Sequence, residues 1–173
     1  EKGIENFLKI AIPKEYEGYA IDLWERSRRK IGFWLQGQLL LGVLIGILVF
    51  LGLTILGVKY ALLLALLAGI LEIIPVFGPI IAAIPAIGVG FLGSPMLGLS
   101  TLILFVIVQQ FENHLIYPLV IRKTIGIPPI LVILSLFIGS TLAGFFGILL
   151  AVPVATVLME FINDFARKRQ IEF

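Results

Sequence analysis

LEIIPVFGPIIAAIPA, residues 71–86, decides how the chain folds. It lies inside the apolar run 59–92, and Pro75, Gly78 and Pro79 interrupt that run at its middle. A proline lacks a backbone N–H and clashes with the preceding turn, so a helix does not pass through such a cluster unbroken. About 14 apolar residues remain on either side, close to 20 Å of helix at about 1.5 Å per residue. Neither half spans a hydrocarbon core of about 30 Å comfortably. The sequence therefore predicts a broken helical hairpin that enters a membrane and returns on the same side. Two short crossings, rescued by tilt or a thinned bilayer, are the alternative.

The rest of the chain asks for the same solvent. Of its 173 residues 60% are hydrophobic and 14% charged, and the mean hydropathy is +1.11, well outside the soluble globular range. Residues 31–58, 73–111 and 124–159 carry no charge. Each run exceeds the roughly 20 apolar residues of a spanning helix, and the strict alternation of a membrane barrel is absent. The expected class is an all-α integral membrane protein, with the lipid bilayer as its first partner.

A formal charge of +2 arises from basic residues gathered at 26–30, 122–123 and 167–169, each flanking an apolar segment. That placement follows the positive-inside rule and gives no nucleic-acid signature; it puts all three clusters, and both termini, in the cytoplasm if the crossings between them are even in number. No cysteine is present, which excludes disulfides, thiolate metal sites and Cys nucleophiles. There is no GxSxG, no HExxH and a single histidine, His114, so no catalytic residue, metal site, cofactor or enzymatic activity is expected. The chain opens on a polar stretch at Glu1 without a basic region leading into a short apolar core, so no cleaved signal peptide is expected and the chain reads as a fragment or trimmed form.

Taken in order, residues 1–30 predict an amphipathic helix opened by Pro13, Glu15 and Glu17 and closed by basic residues. It would lie at the cytoplasmic interface or pack, solvated, on the membrane domain. A first repeat, 31–92, holds a crossing at 32–56 and the broken hairpin at 60–92; Gly42 and Gly46 form a small-residue stripe on the crossing, suited to close packing within the chain more than to a dimer. A second repeat, 96–162, holds a crossing at 96–117 and a second hairpin at 128–162, broken around Gly144 and Gly147, before a cytoplasmic tail at 163–173. Gly69 answers Gly139, Phe77 and Gly78 answer Phe146 and Gly147, and Pro85 answers Pro153. One crossing plus one hairpin is an odd number of passes, so the second copy is inverted relative to the first, the architecture of many secondary transporters.

Polar groups concentrate in QQFENHLIYPLVIRKTIGIPP, residues 109–129. A charge deep in a bilayer costs on the order of 3 kcal/mol, so ionisable residues there usually handle ions or substrates. Gln109, Glu112, Asn113 and Ile116 share a helical face, with Gln110 beside them, and Glu112 leads the candidates for binding an ion or a hydroxylated solute. The bland reading is that Glu112, near the cytoplasmic end and ten residues before Arg122, snorkels or pairs with a basic residue. Pro118 frees nearby carbonyls for a cation or only satisfies a kink. Glu72 comes next, either at the negative end of an inbound half-helix, where it would favour a proton or cation, or as an ordinary interfacial residue. Pro75, Gly78, Pro79, Gly144 and Gly147 are expected at the hairpin tips. His114 is expected to hydrogen-bond across the bundle, and Ser140 and Thr141 to solvate the second tip or cap backbone.

These residues also carry a resemblance. Gly37-Gln38 opening a crossing, Gly57-Val58-Lys59-Tyr60-Ala61, Glu72-Ile73-Ile74-Pro75 with Gly78-Pro79, Gln109-Gln110 with Glu112-Asn113 and Pro118, then Gly126-Ile127-Pro128-Pro129 and Ala151-Val152-Pro153 together resemble the autoinducer-2 exporter family, of PerM-like membrane proteins. Members are usually about twice this length, and the chain resembles their C-terminal half. The resemblance implies a homo-oligomeric transporter of a prokaryotic inner membrane. Members are assigned to export of the quorum-sensing signal autoinducer-2 or to exchange of sodium or lithium against protons. The expected activity is thus secondary transport of a small polar solute or monovalent cation, coupled to H+ or Na+. A Na+(Li+)/H+ antiporter is one alternative, and an oligomeric membrane scaffold without transport is another.

Overall fold

A computed structural model describes the backbone of residues 11–116 and 129–171, and the side chains of 11–116 and 130–166. Pro118, Arg122, Lys123 and the side chains of Arg167, Lys168 and Arg169 lie outside the described residues. Among those described, every regular element is helical: α1 Lys14–Leu56, α2 Ala61–Leu71, α3 Phe77–Gly93, α4 Pro95–Phe111, a π-helical turn Glu112–Ile116, and α5 Pro129–Ile171. Three helical stretches, Lys14–Leu56, Pro95–Ile116 and Ile130–Ala166, are long and apolar enough to cross a membrane. Only 28%, 22% and 22% of their most apolar windows are buried. In water such exposure would drive aggregation, whereas in hydrocarbon those faces meet their solvent.

The chain divides into two compact units, one of Glu1–Phe33 with Ile125–Phe173 and one of Trp34–Thr124. Helix α1 runs through both without a break, where the sequence suggested an amphipathic helix followed by a separate crossing. No proline falls between Pro13 and Pro75, and the polar and apolar stretches are both compatible with one helix. Its 43 residues make about 65 Å at about 1.5 Å per residue, more than twice a bilayer core of about 30 Å. The polar N-terminal part therefore extends past the hydrocarbon.

In the second unit α1 ends in a Schellman motif. Gly57 sits at φ 73°, its N–H bonds the Thr54 carbonyl at 3.1 Å, and the Val58 N–H bonds the Leu53 carbonyl at 2.9 Å. Leu53 and Val58, the apolar pair that accompanies this cap, are both buried. Helix α2 follows after Tyr60, and the proline cluster then breaks the run as the sequence predicts. The tip itself is at Pro75 and Val76: Val76 lies at φ 69°, ψ −49°, and the Phe77 N–H reaches the Pro75 carbonyl at 2.8 Å. This is a positive-φ γ-turn, which is strained for a β-branched residue. Gly78 packs beneath the tip, where a Cβ would stand 1.9 Å from the Leu71 carbonyl oxygen. Pro79 falls in the first turn of α3, where its missing N–H has no intrahelical use. Ser94 then caps α4 by accepting from the Leu97 N–H at 3.1 Å, with Pro95 opening the helix.

In the first unit α5 is a hairpin. Ala143 (φ −140°, ψ 19°) and Gly144 (φ 56°, ψ −129°) leave helical geometry, the latter in a region that is nearly glycine's alone. A Cβ on Gly139 would lie 2.3 Å from the Gly147 carbonyl oxygen and 3.4 Å from the Ala151 side chain. In a straight helix residues twelve apart are about 18 Å distant, so the two limbs, 129–142 and 145–171, run back along each other. The break is at residues 143–144, and Gly147 is the packing glycine behind it.

The same unit holds an ion cluster that the sequence reading did not assemble. Arg26 meets Asp22 at 3.0 Å, Glu160 at 3.2 Å and Asp164 at 2.6 Å, and Lys30 also pairs with Glu160. Asp22, Arg26 and Lys30 repeat at four-residue spacing on α1, as do Glu160 and Asp164 on α5, so each set shares one helical face.

Two glycine substitutions separate packing from propensity. Gly147→Ala, which places a methyl 1.8 Å from the Gly139 carbonyl oxygen, is expected to destabilise by about 1–3 kcal/mol through overpacking. Gly88→Ala, with nothing within 4 Å of its Cβ, is expected to be neutral or to gain up to about 1 kcal/mol in helix propensity. Thermal midpoints of the two variants in detergent check the contrast.

Candidate functional site: a buried carboxyl pair

Glycines on α1 and α2 bring the site together. A Cβ on Gly42 would fall 2.5 Å from the Gly69 carbonyl oxygen, one on Gly69 would fall 2.7 Å from that of Gly42, and one on Gly46 would lie 3.5 Å from that of Ala65. The two backbones touch, and they run antiparallel, since a higher number on α1 meets a lower one on α2. The small-residue stripe is thus spent on packing within the chain. One turn before Gly42 is Gln38, and three residues after Gly69 is Glu72, so the crossing sets these two against each other. The Gln38 Nε2 donates to the Glu72 main-chain carbonyl. Glu72 is the C-cap of α2, and the last carbonyls of a helix lack intrahelical partners; Gln38 supplies one.

The Glu72 side chain lies within hydrogen-bonding reach of the Glu112 carboxyl. Glu112 opens the π-helical turn, and Gln109, one turn earlier on α4, donates from Nε2 to Glu112 Oε2 at 2.9 Å. Leu104 of α4 fills the space above Gly52 of α1, which keeps α4 against the same bundle. Three helices of one unit therefore converge on four polar side chains. Glu72 is 1% exposed, Gln38 2% and Glu112 6%.

The chemistry of that pair is constrained. An ionised carboxylate only accepts hydrogen bonds, so two carboxyls at this separation repel each other unless one of them carries a proton. The charged group acting on Glu72 is Glu112, and no Lys or Arg acts on either carboxyl among the described residues. Two buried acceptors, Gln38 Oε1 and Glu72 Oε2, have no hydrogen-bond partner. Such a site can hold and hand on a proton, or offer oxygen ligands to a cation. An apolar groove of about 530 Å³ runs from Gln38 along α1 and α2, past Gly42, Gly46 and Phe50.

The other sequence candidates are placed differently. Gln109 joins the pair, whereas Gln110 and Asn113 are exposed and are not brought to it. The π-helical turn begins at Glu112, and Asn113, its immediate neighbour, points away as adjacent helical residues do. His114 Nδ1 contacts the Gln110 carbonyl of its own helix at 3.0 Å, and among the described residues it makes no bond across the bundle. Ser140 and Thr141 donate back to Phe137 and Ile138 at 2.7 and 2.8 Å, the local capping role. Pro75, Gly78 and Pro79 lie at or next to the first tip, and Gly144 and Gly147 at or next to the second. Gln38 was missed as a site residue. Its signal was present: with Gln36, it is one of two amides in the charge-free run 31–58, and it sits four residues before Gly42 and eight before Gly46, on the stripe that meets α2.

The described residues thus form a helical fold with three stretches long and apolar enough to cross a membrane and a buried carboxyl pair. A sequence model described as AI-2E family transporter matches residues 2–167, and the chain belongs to that family. It is 36% identical over 156 residues to YueF of Bacillus subtilis, named provisionally as a transport protein, covering 90% of this chain and 42% of YueF. YrrI of the same organism, named likewise, is 32% identical over 139 residues, 80% of this chain and 39% of its own length. PerM of Escherichia coli, named provisionally as a permease, is 29% identical over 160 residues, 91% of this chain and 45% of PerM. The chain spans about two fifths of the length of these curated relatives.

The helix crossing that builds the site is open to test. Gly42→Val is expected to force α1 from α2, separate Gln38 from Glu72, and destabilise by at least about 1–3 kcal/mol. Loss of thermal stability in detergent, together with faster proteolysis near the 71–77 turn, is the expected result.

Proposed function

We propose that the chain works as a secondary transporter, exporting a small polar solute or exchanging ions across a prokaryotic inner membrane by alternating access. Glu72 and Glu112 are its coupling group, taking up H+ or Na+. One observation carries the reading: two carboxyls within reach of each other are buried among apolar helices, and among the described residues no cationic side chain acts on either of them. A structural pair would be expected to have a basic partner, as Glu160 and Asp164 have in Arg26. Buried ionisable groups without such partners are expensive, and in membranes they mark ion and substrate pathways.

The inverted repeat finds support inside each unit. In both hairpins the matched second-limb glycine faces a first-limb carbonyl, Gly78 that of Leu71 and Gly147 that of Gly139. The limbs α2 and α3, 11 and 17 residues long, come to about 16 and 26 Å at about 1.5 Å per residue, in keeping with re-entry from one side. The scaffold reading loses its main support, because Gly42 and Gly46 are occupied by α2 rather than left free for a partner. Homo-oligomers and cytoplasmic termini are part of the proposal, the first from the family resemblance and the second from the basic clusters.

Glu112→Gln and Glu72→Gln should each abolish collapse of an imposed pH gradient on adding sodium or lithium to vesicles, with protein insertion unchanged. Collapse at the wild-type rate in both variants would remove the pair from coupling. For topology, Val76→Cys should react with impermeant thiol reagents only from the outer side and Phe146→Cys only from the inner; ready labelling of Val76→Cys from the cytoplasm would refute re-entry.

A further inference from the structure

We propose that the polar start of α1, residues 14–33, is a salt-operated latch: ion pairs hold it on the second limb of α5, and a rise in the ionic strength of the compartment that bathes it releases that limb. The latch belongs to the first unit and does not depend on the carboxyl pair of the second. Two packed helices are ordinarily fastened by a stripe of buried apolar side chains. Here that stripe is missing. Of the described residues 11–33, Ser27 alone is buried, and its side chain is a hydroxyl; Leu23 and Trp24 are only half-buried. Docking therefore falls to charge. Arg26 reaches Glu160 and Asp164 on α5, and Lys30 reaches Glu160, while Tyr19 lies within hydrogen-bonding reach of Asp164. Tyr19, Arg26 and Lys30 stand two turns and one turn apart, so one face of α1 meets one face of α5. Higher numbers on α1 meet lower ones on α5, and the two segments run antiparallel.

The docked state is built to be undone. Arg26 and Lys30 are 32% and 36% exposed, so water and mobile ions reach the pairs and screen them. Two buried polar atoms at the same place, Arg26 Nε and Ser27 Oγ, have no hydrogen-bond partner among the described residues. Each has given up water with nothing in return, a penalty that opposes docking. The attraction is electrostatic and weakens as salt rises, whereas the penalty of an orphaned polar group does not depend on salt. Without an apolar interface to hold the balance, rising ionic strength tips it toward release. In an apolar helix pair the same change would tighten the contact or leave it alone.

The test is the distance between spin labels on the full-length protein in lipid nanodiscs, attached at Glu25→Cys on α1 and Ile162→Cys on α5 with other cysteines removed. Both positions are exposed and outside the ion pairs. Distances are compared in about 0.1 M and about 1 M KCl, between which the Debye length falls from about 10 Å to about 3 Å, and in 0.1 M KCl with sucrose added to equal osmolality. One short distance is expected at low salt. At high salt a longer one should appear, with the docked-to-released ratio down by about tenfold or more, and sucrose should not reproduce it. Arg26→Glu should release the limb at low salt, and adding Asp164→Arg should restore the short distance. Identical distributions at both salt concentrations overturn the proposal, as does release by sucrose equal to that by salt, or an Arg26→Glu protein that stays docked. If Arg26→Glu does not fold, Lys30→Gln should lower the salt concentration of half-release by a factor of about two or more; an unchanged midpoint sinks the latch. None of these readings requires flux, so a working latch in a chain that moves nothing would refute the transport reading alone.

Discussion

Two carboxyl groups held against each other inside an apolar helical unit set the constraint on which the rest of that unit depends. Both ionised, they would repel each other there, and among the described residues no basic side chain acts on either. Holding them together requires three helices at fixed offsets. The Gly42–Gly69 contact brings α1 and α2 to backbone distance, the end of α2 at Leu71 puts Glu72 at a carbonyl-rich terminus, and the π-helical turn of α4 begins at Glu112. A residue larger than glycine at the crossing, or a helix that continued past Leu71, would dissolve the arrangement. π-Helical turns recur at functional sites because they re-aim a side chain at the expense of regular hydrogen bonding. Here the re-aimed position is occupied by one of the two acids.

The first unit shows the contrasting use of charge. Arg26 and Lys30 pair with Asp22, Glu160 and Asp164 between the polar start of α1 and the far limb of α5. Arg26 remains about a third exposed, so water and salt screen its pairs and their contribution is modest. That cluster has the composition of a structural tie. The Glu72–Glu112 pair differs from it in that no cationic side chain acts on either acid among the described residues.

Much of this was legible in the sequence, and the exceptions have physical reasons. Charge-free runs longer than a bilayer announced the helical class, and the proline cluster at 75–79 and the glycines at 144–147 announced both hairpins, because breakers act locally. Glu72 and Glu112 stood out as acids inside apolar segments. The turn at Val76 could not be read, since no local preference selects a valine for positive φ; the packing of Gly78 under Leu71 imposes it. The π-helical turn likewise has no sequence signature, and the broad helical face drawn from Gln109 to Ile116 therefore included Asn113, which the structure leaves exposed. Gln38 and the ion cluster depend on contacts between residues 34 and more than 130 positions apart, and spacing along one helix gives only half of each.

The account stands or falls on Glu72 and Glu112 behaving as one unit. A double-mutant cycle on unfolding in detergent, with Glu72→Gln, Glu112→Gln and the combination, measures this directly. For two carboxyls in direct contact the substitutions should be non-additive, with an interaction term of about 0.5–3 kcal/mol. Effects that simply sum, to within about 0.5 kcal/mol, would mean that the carboxyls are independent, and that the pair does not exist as a functional group.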